Sequence, residues 1–249
     1  MNHKEDLIAG RNAVIEALRA KKPIDKIFVL DGCQDGPIRT IVREAKKTDA
    51  ILKFVDKERL NQLTNEHHQG VVAIVAAYEY GTIDDLFKRA EEKGEDPFFI
   101  LLDGIEDPHN LGAIIRTANL AGAHGVIIPK HRAVGITPTV AKTSAGAINY
   151  TPVAKVTNIV RTIEELKEKG IWFVCADMGG ETMYDLDLTG PMGLVIGNEG
   201  EGVSRLVREA CDFTASIPMK GDIDSLNASV AAGVLAYEIV RQRLAKAGK

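Results

Sequence analysis

Three short segments in the second half of the chain hold the side chains best suited to chemistry. The first, NLGAIIRTA at 110–118, carries Asn110 and Arg116. The second, GLVIGNEGEGV at 193–203, opens an apolar run into Gly197, Asn198, Glu199, Gly200, Glu201 and Gly202. The third, IPMKGDIDSLNASVA at 217–231, starts at Ile217 and sets Ser225, Leu226, Asn227 and Ser229 behind a polar loop. Glycines let main-chain amides and carbonyls approach a ligand closely, so the Gly197–Gly202 loop suits a nucleotide-like cofactor at the carboxyl edge of a strand. Its spacing, G-x-x-G-x-G, is not the dinucleotide G-x-G-x-x-G, and no G-x-x-x-x-G-K-[ST] phosphate loop occurs anywhere. Glu199 and Glu201 would repel a phosphate but tolerate a cationic sulfonium. A guanidinium such as that of Arg116 does not readily act as a base at neutral pH, yet it can stabilise an incipient alkoxide or clamp a phosphate.

Each residue also has a plainer reading. Leu111, Ile114, Ile115, Ala118 and Ala121 recur at helical spacing, so 110–123 reads as a helix with Asn110 as its N-cap. Arg116 falls off that apolar stripe and by itself reads as solvated. Ser225 is a good N-cap for a terminal helix over 226–243, and a Gly-rich run is more often a turn before a helix than a binding loop.

The elements that would position these residues form two groups. From Phe98 onward, FFILLD, GVIIP, WFVCAD, GLVIG and FTASIP are apolar β-rich runs separated by helical stretches, the pattern of a parallel sheet buried on both faces. Upstream, a helix over 11–19, a strand over 27–30, a helix over 38–47 and strands over 52–55 and 71–76 suggest a small α/β unit. Between them the chain turns polar around a short helical stretch. The expected division is therefore residues 1–77, a linker at 78–96, and 97–249.

Composition narrows the classes. The chain has 249 residues, 45% hydrophobic and 27% charged, and no apolar run reaches the roughly 18 residues that a membrane span needs. Its first residues lack a signal-type apolar core, and its cysteines number 3, widely spaced, which disfavours disulfides and paired-thiol zinc ligation. A cytoplasmic protein without a metal or a membrane partner is expected. A net charge of −4 offers no global basic excess, so any nucleic-acid surface must be a local patch. Lys130, His131 and Arg132 form one such patch behind the strand at 126–128.

In this order, the three segments resemble the SpoU (TrmH-type) family of RNA 2′-O-ribose methyltransferases over residues 97–243. Upstream, IAGRNAV at 8–14 and HHQGV at 67–71 resemble the ribosomal-protein-like RNA-binding domain of bacterial 23S rRNA guanosine 2′-O-methyltransferases. The resemblance implies a parallel-sheet α/β domain tied into a trefoil knot, a homodimer, S-adenosylmethionine as methyl donor, and 23S rRNA or its precursor particle as partner; the same chemistry on tRNA or another rRNA nucleoside, or a non-catalytic RNA-binding assembly factor, is the alternative. It implies candidate catalytic roles for Asn110, Arg116, Glu199, Ser225 and Asn227. Main-chain groups at Gly197, Ile217 and Leu226 would bind the methyl donor, and no metal would be needed.

Overall fold

The computed structural model describes residues 7–48, 50–76, 78–223 and 225–248. They divide into two compact units, 1–79 and 80–249.

The first unit runs β1 (Leu7–Ala9), α1 (Arg11–Arg19), β2 (Ile24–Leu30), α2 (Gly36–Ala45), β3 (Ile51–Val55), α3 (Lys57–Leu63) and β4 (Val71–Val75). Its sheet order is β1-β4-β2-β3, with only β2 and β3 parallel. Alternation along β2 explains the layering: Ile27 and Val29 face α1 and α2 through Val14, Leu18, Ile38 and Ile41, while Phe28 packs with Leu60 of α3 on the other face. Gly10, at φ 96°, gives α1 no side-chain cap. Gln69 supplies one from a distant segment, its Oε1 accepting the Arg11 N–H at 3.1 Å.

The second unit runs α4 (Ile83–Lys93), β5 (Phe98–Asp103), α5 (Pro108–Leu120), β6 (Gly125–Pro129), α6 (Pro138–Thr143), β7 (Val153–Val156), α7 (Ile159–Glu168), β8 (Trp172–Thr182), β9 (Met192–Gly197), α8 (Arg205–Ala210), β10 (Phe213–Ser216) and α9 (Ala228–Lys246). Its sheet is parallel throughout in the order β10-β8-β9-β5-β6-β7. Phe98 to Leu102 and Met192 to Ile196 are buried without alternation, as strands covered on both faces must be. The chain leaves β5 toward β6 on one side, whereas β8 and β10 lie beyond β9 on the other. The loops after β5 and β9 therefore leave the sheet where its order reverses, at the carboxyl edge where open α/β sheets bind ligands.

Three expectations change. Residues 78–96, read as a linker around a short helical stretch, contain α4, which Thr82 and Asp85 close with a capping box. Its Leu86 is buried in the core with Phe99, Phe173 and Val195, so the helix packs as part of the second unit despite its polar composition. Helix α5 starts at Pro108, with Asp107 as N-cap accepting the His109 N–H at 2.8 Å, so Asn110 is a buried first-turn residue and not the cap. At α9 the N-cap is Asn227, not Ser225.

Two measurements test this packing. A Cβ on Gly125 would lie 2.2 Å from Leu86 Cγ. Gly125→Ala should therefore cost about 1–3 kcal/mol by urea unfolding, and less in a Leu86→Ala background, where the obstructing side chain is gone. His124 is fully buried; its Nδ1 accepts the Phe98 N–H at 3.0 Å and its Nε2 lies 3.1 Å from Glu95 Oε2. Burial lowers its pKa, so the unfolded chain takes up a proton that the folded one resists. Stability should be full above about pH 6.5 and fall as pH drops below it, until the folded pKa is passed. His124→Gln should flatten that slope.

Candidate active site

Asn227 sets the geometry. Its Oδ1 caps α9 by accepting the Ser229 N–H at 2.9 Å and the Ser229 hydroxyl at 2.6 Å. The carboxamide is planar, so Nδ2 must point the other way, where it donates to Glu199 Oε1 at 2.6 Å and to Asn110 Oδ1 at 3.1 Å. With its own oxygen occupied, Asn110 turns its Nδ2 onto the same Glu199 Oε1. Two amides thus hold one carboxylate oxygen, and Glu199 Oε2 has no partner among the described residues. The loop that carries Glu199 is equally fixed: Asn198 and Gly202 exchange main-chain hydrogen bonds at 3.1 and 2.8 Å, and Asn198 Nδ2 reaches Gly104 O at 3.2 Å.

Cavities open on both sides of this loop. One, of about 400 Å3, is lined by Gly197, Ile217 and Leu226, with Glu199, Glu201 and Ser225 on its wall. The other, of about 310 Å3, is lined by Gly104 to Asp107 after β5 and by Asn110, and shares Asn198, Glu199 and Gly200 with the first. Glu199 therefore stands at the boundary of both.

Of the sequence-expected residues, Asn110, Glu199 and Asn227 form one hydrogen-bonded cluster, and Gly197, Ile217, Leu226 and Ser225 line one cavity. Arg116 is not brought to the cluster. It is exposed on α5, lines neither cavity, and makes no side-chain hydrogen bond or ion pair among the described residues. Ala176, Asp177 and Met178, at the first cavity's wall, were not expected there. Their signal was positional, since they follow the apolar start of a strand at the edge where parallel sheets bind ligands. Asp177 is held by Arg208, Nη1 to Oδ2 at 3.0 Å.

A sequence model of the SpoU rRNA Methylase family matches residues 97–237. The chain belongs to the SpoU family. A second model, described as RNA 2′-O ribose methyltransferase substrate binding, matches residues 7–81, ahead of the SpoU region. YacO of Bacillus subtilis (strain 168), named as a TrmH family tRNA/rRNA methyltransferase, is 51% identical over 98% of this chain and 98% of its own length. A namesake from Staphylococcus haemolyticus (strain JCSC1435) is 47% identical over 96% and 97%. Among solved structures, the SpoU methyltransferase AviRb from Streptomyces viridochromogenes, in complex with the cofactor AdoMet, superposes with a TM-score of 0.61 at 31% identity, covering 97% of this SpoU chain and 91% of AviRb.

The cluster makes a compensation testable. Asn227→Asp keeps an acceptor for the Ser229 N–H but sets a second carboxylate against Glu199. It should cost about 1–3 kcal/mol by urea unfolding. Adding Glu199→Gln, whose amide can donate to the new Asp, should recover most of that loss.

Proposed function

We propose that this chain transfers a methyl group from S-adenosylmethionine to the ribose 2′-hydroxyl of a guanosine in 23S rRNA, in the cytoplasm and as a homodimer with a trefoil-knotted catalytic domain. The observation that carries this reading is the pair of cavities meeting at Glu199, one suited to a cofactor and the other holding Asn110. The first combines apolar walls, among them Ile217 and Leu226, with the carboxylates of Glu199, Glu201 and Asp177. That donor set fits a cationic, partly apolar ligand better than a phosphate. When bound, S-adenosylmethionine supplies an electrophilic methyl group on a positively charged sulfur.

The chain's contribution is positioning and charge stabilisation. Gly197, Ile217 and Leu226 would hold the methyl donor through main-chain groups. Asn110, Ser225 and Asn227 would orient the ribose beside Glu199, which lines both cavities. Arg116, exposed and without an ion pair among the described residues, is available to an RNA phosphate and to the negative charge that develops on the 2′-oxygen as its proton passes to solvent and the methyl leaves the sulfonium. The likeness of residues 8–14 and 67–71 to the 23S rRNA guanosine enzymes supports the target, and the knot rests on the family resemblance. A dimer is supported by α9, where Val230, Tyr237 and Leu244 repeat every seven residues and stay 49%, 50% and 46% exposed.

The experiment is ribose-methylation mapping of total RNA from a deletion strain, complemented with wild type or Arg116→Ala. Loss of one 23S guanosine mark, restored only by wild type, is expected; loss of a tRNA mark instead would move the target. With the purified protein, shown by light scattering to be dimeric, Arg116→Ala should slow single-turnover transfer about 100-fold or more while S-adenosylmethionine affinity stays within a few fold. Arg116→Lys should not rescue it fully, because an ammonium lacks the planar fork.

A further inference from the structure

The first unit holds a cavity of about 480 Å3 that the Glu199 site does not use. The two N-terminal segments that stand out in sequence, 8–14 and 67–71, meet at its wall, where Gly10 N–H donates to Val71 O at 3.2 Å. Arg11, Asn12, Leu30, Pro37, His67 and Gln69 contribute to its lining, and no carboxylate does.

Arg11 is the unusual member. Its Nε donates to Gln69 O at 2.9 Å, and its Nη2 reaches Asp35 Oδ2 at 2.6 Å and Cys33 Sγ at 3.7 Å. Three residues from two chain segments thus fix a side chain that still has 32% of its surface exposed. Gln69, in the left-handed region at φ 50°, bonds Arg11 through both its side chain and its carbonyl, so backbone strain is maintained at this contact. A guanidinium held in one plane has already lost the conformational freedom that binding would otherwise remove. Such a plane, like an imidazole ring, stacks on a nucleobase of any identity. Leu30 and Pro37 add apolar wall, and the Asn12 amide offers both a donor and an acceptor to a base edge. The pocket is open to solvent, and its volume of about 480 Å3 is on the scale of a single nucleotide.

We propose that this cavity is a socket for one unstacked nucleotide of single-stranded RNA, its base stacked on the pinned Arg11 guanidinium and contacted by Asn12 and His67. The inference rests on the reading of the chain as an RNA-acting enzyme and places one contact with that RNA in the first unit, apart from the reacting ribose.

Binding of the full chain to a labelled single-stranded RNA of roughly ten nucleotides, and to a blunt duplex of the same length, tests this by fluorescence anisotropy at one fixed salt concentration. Asn12→Ala and His67→Ala, at exposed positions, should each weaken single-strand binding several fold and together about tenfold or more, with duplex binding and the melting temperature unchanged. A 4-thiouridine in the single strand should crosslink to the peptides that hold Arg11 or His67. Unchanged single-strand affinity in the double variant, or crosslinks confined to other peptides, overturns the socket. So does a free mononucleotide, titrated as AMP, GMP, CMP and UMP, that occupies the cavity tightly while the RNA does not crosslink there. Failure of the methyltransfer reading would show instead as absent S-adenosylmethionine binding by calorimetry, which these variants leave untouched.

Discussion

The site depends on one planar amide doing two jobs. Asn227 Oδ1 is committed to the first turn of α9, so its Nδ2 has one direction left, and Glu199 and Asn110 lie along it. The helix start therefore sets the orientation of both asparagines and the placement of one Glu199 oxygen. Because each donor already has its acceptor, the cluster resists rearrangement: turning any one amide would set donor against donor or leave a polar group unpaired, at about 1–3 kcal/mol for each.

That cluster joins residues as much as 117 positions apart, which only the sheet order can arrange. β5 and β9 are neighbours, aligned from Phe98 with Met192 to Asp103 with Gly197, so Gly104 and Asn198 leave the sheet side by side. The approach is close. A Cβ at Gly197 would lie 2.1 Å from the Gly202 carbonyl carbon, and Gly104 takes φ 80° as the chain turns away from β5. Glycine is required at the first position by contact and favoured at the second by conformation.

Much of this was legible in the sequence, for physical reasons that also mark where legibility ends. Helix 11–19 and the strands at 98–103 and 125–129 stood out because their apolar residues follow a clear period or an unbroken run. β1 and β7 did not, since 3 and 4 residues are too few to show a period. Helix α4 buries only Leu86 and Ala90 among many charges, so composition disguised a packed element as a linker. Asn110 was misplaced by one turn because Asp107 and Pro108, a strong cap and first-turn pair, stand immediately ahead of it. The hydrogen-bonded cluster itself was out of reach of periodicity; only the three segments in order connected its members.

Arg116 bears most on how the site works. It shares α5 with Asn110, but the buried face of that helix is spent on Asn110, Leu111, Ile114, Ile115 and Ala118, which leaves Arg116 toward solvent. Residues six apart on a helix are separated by about 9 Å along the axis and face different directions, and Arg116 makes no hydrogen bond with the Asn110–Glu199–Asn227 cluster among the described residues. In the proposed reaction its charge is therefore delivered from outside, onto a phosphate or ribose that enters beside the cluster. α9, which packs against α5, has the same division: its N-cap reaches inward to Glu199, while Val230, Tyr237 and Leu244 line its exposed side. The two helices thus build the fixed part of the site with their inner faces, while Arg116 and the Val230, Tyr237 and Leu244 stripe stay on their exposed faces.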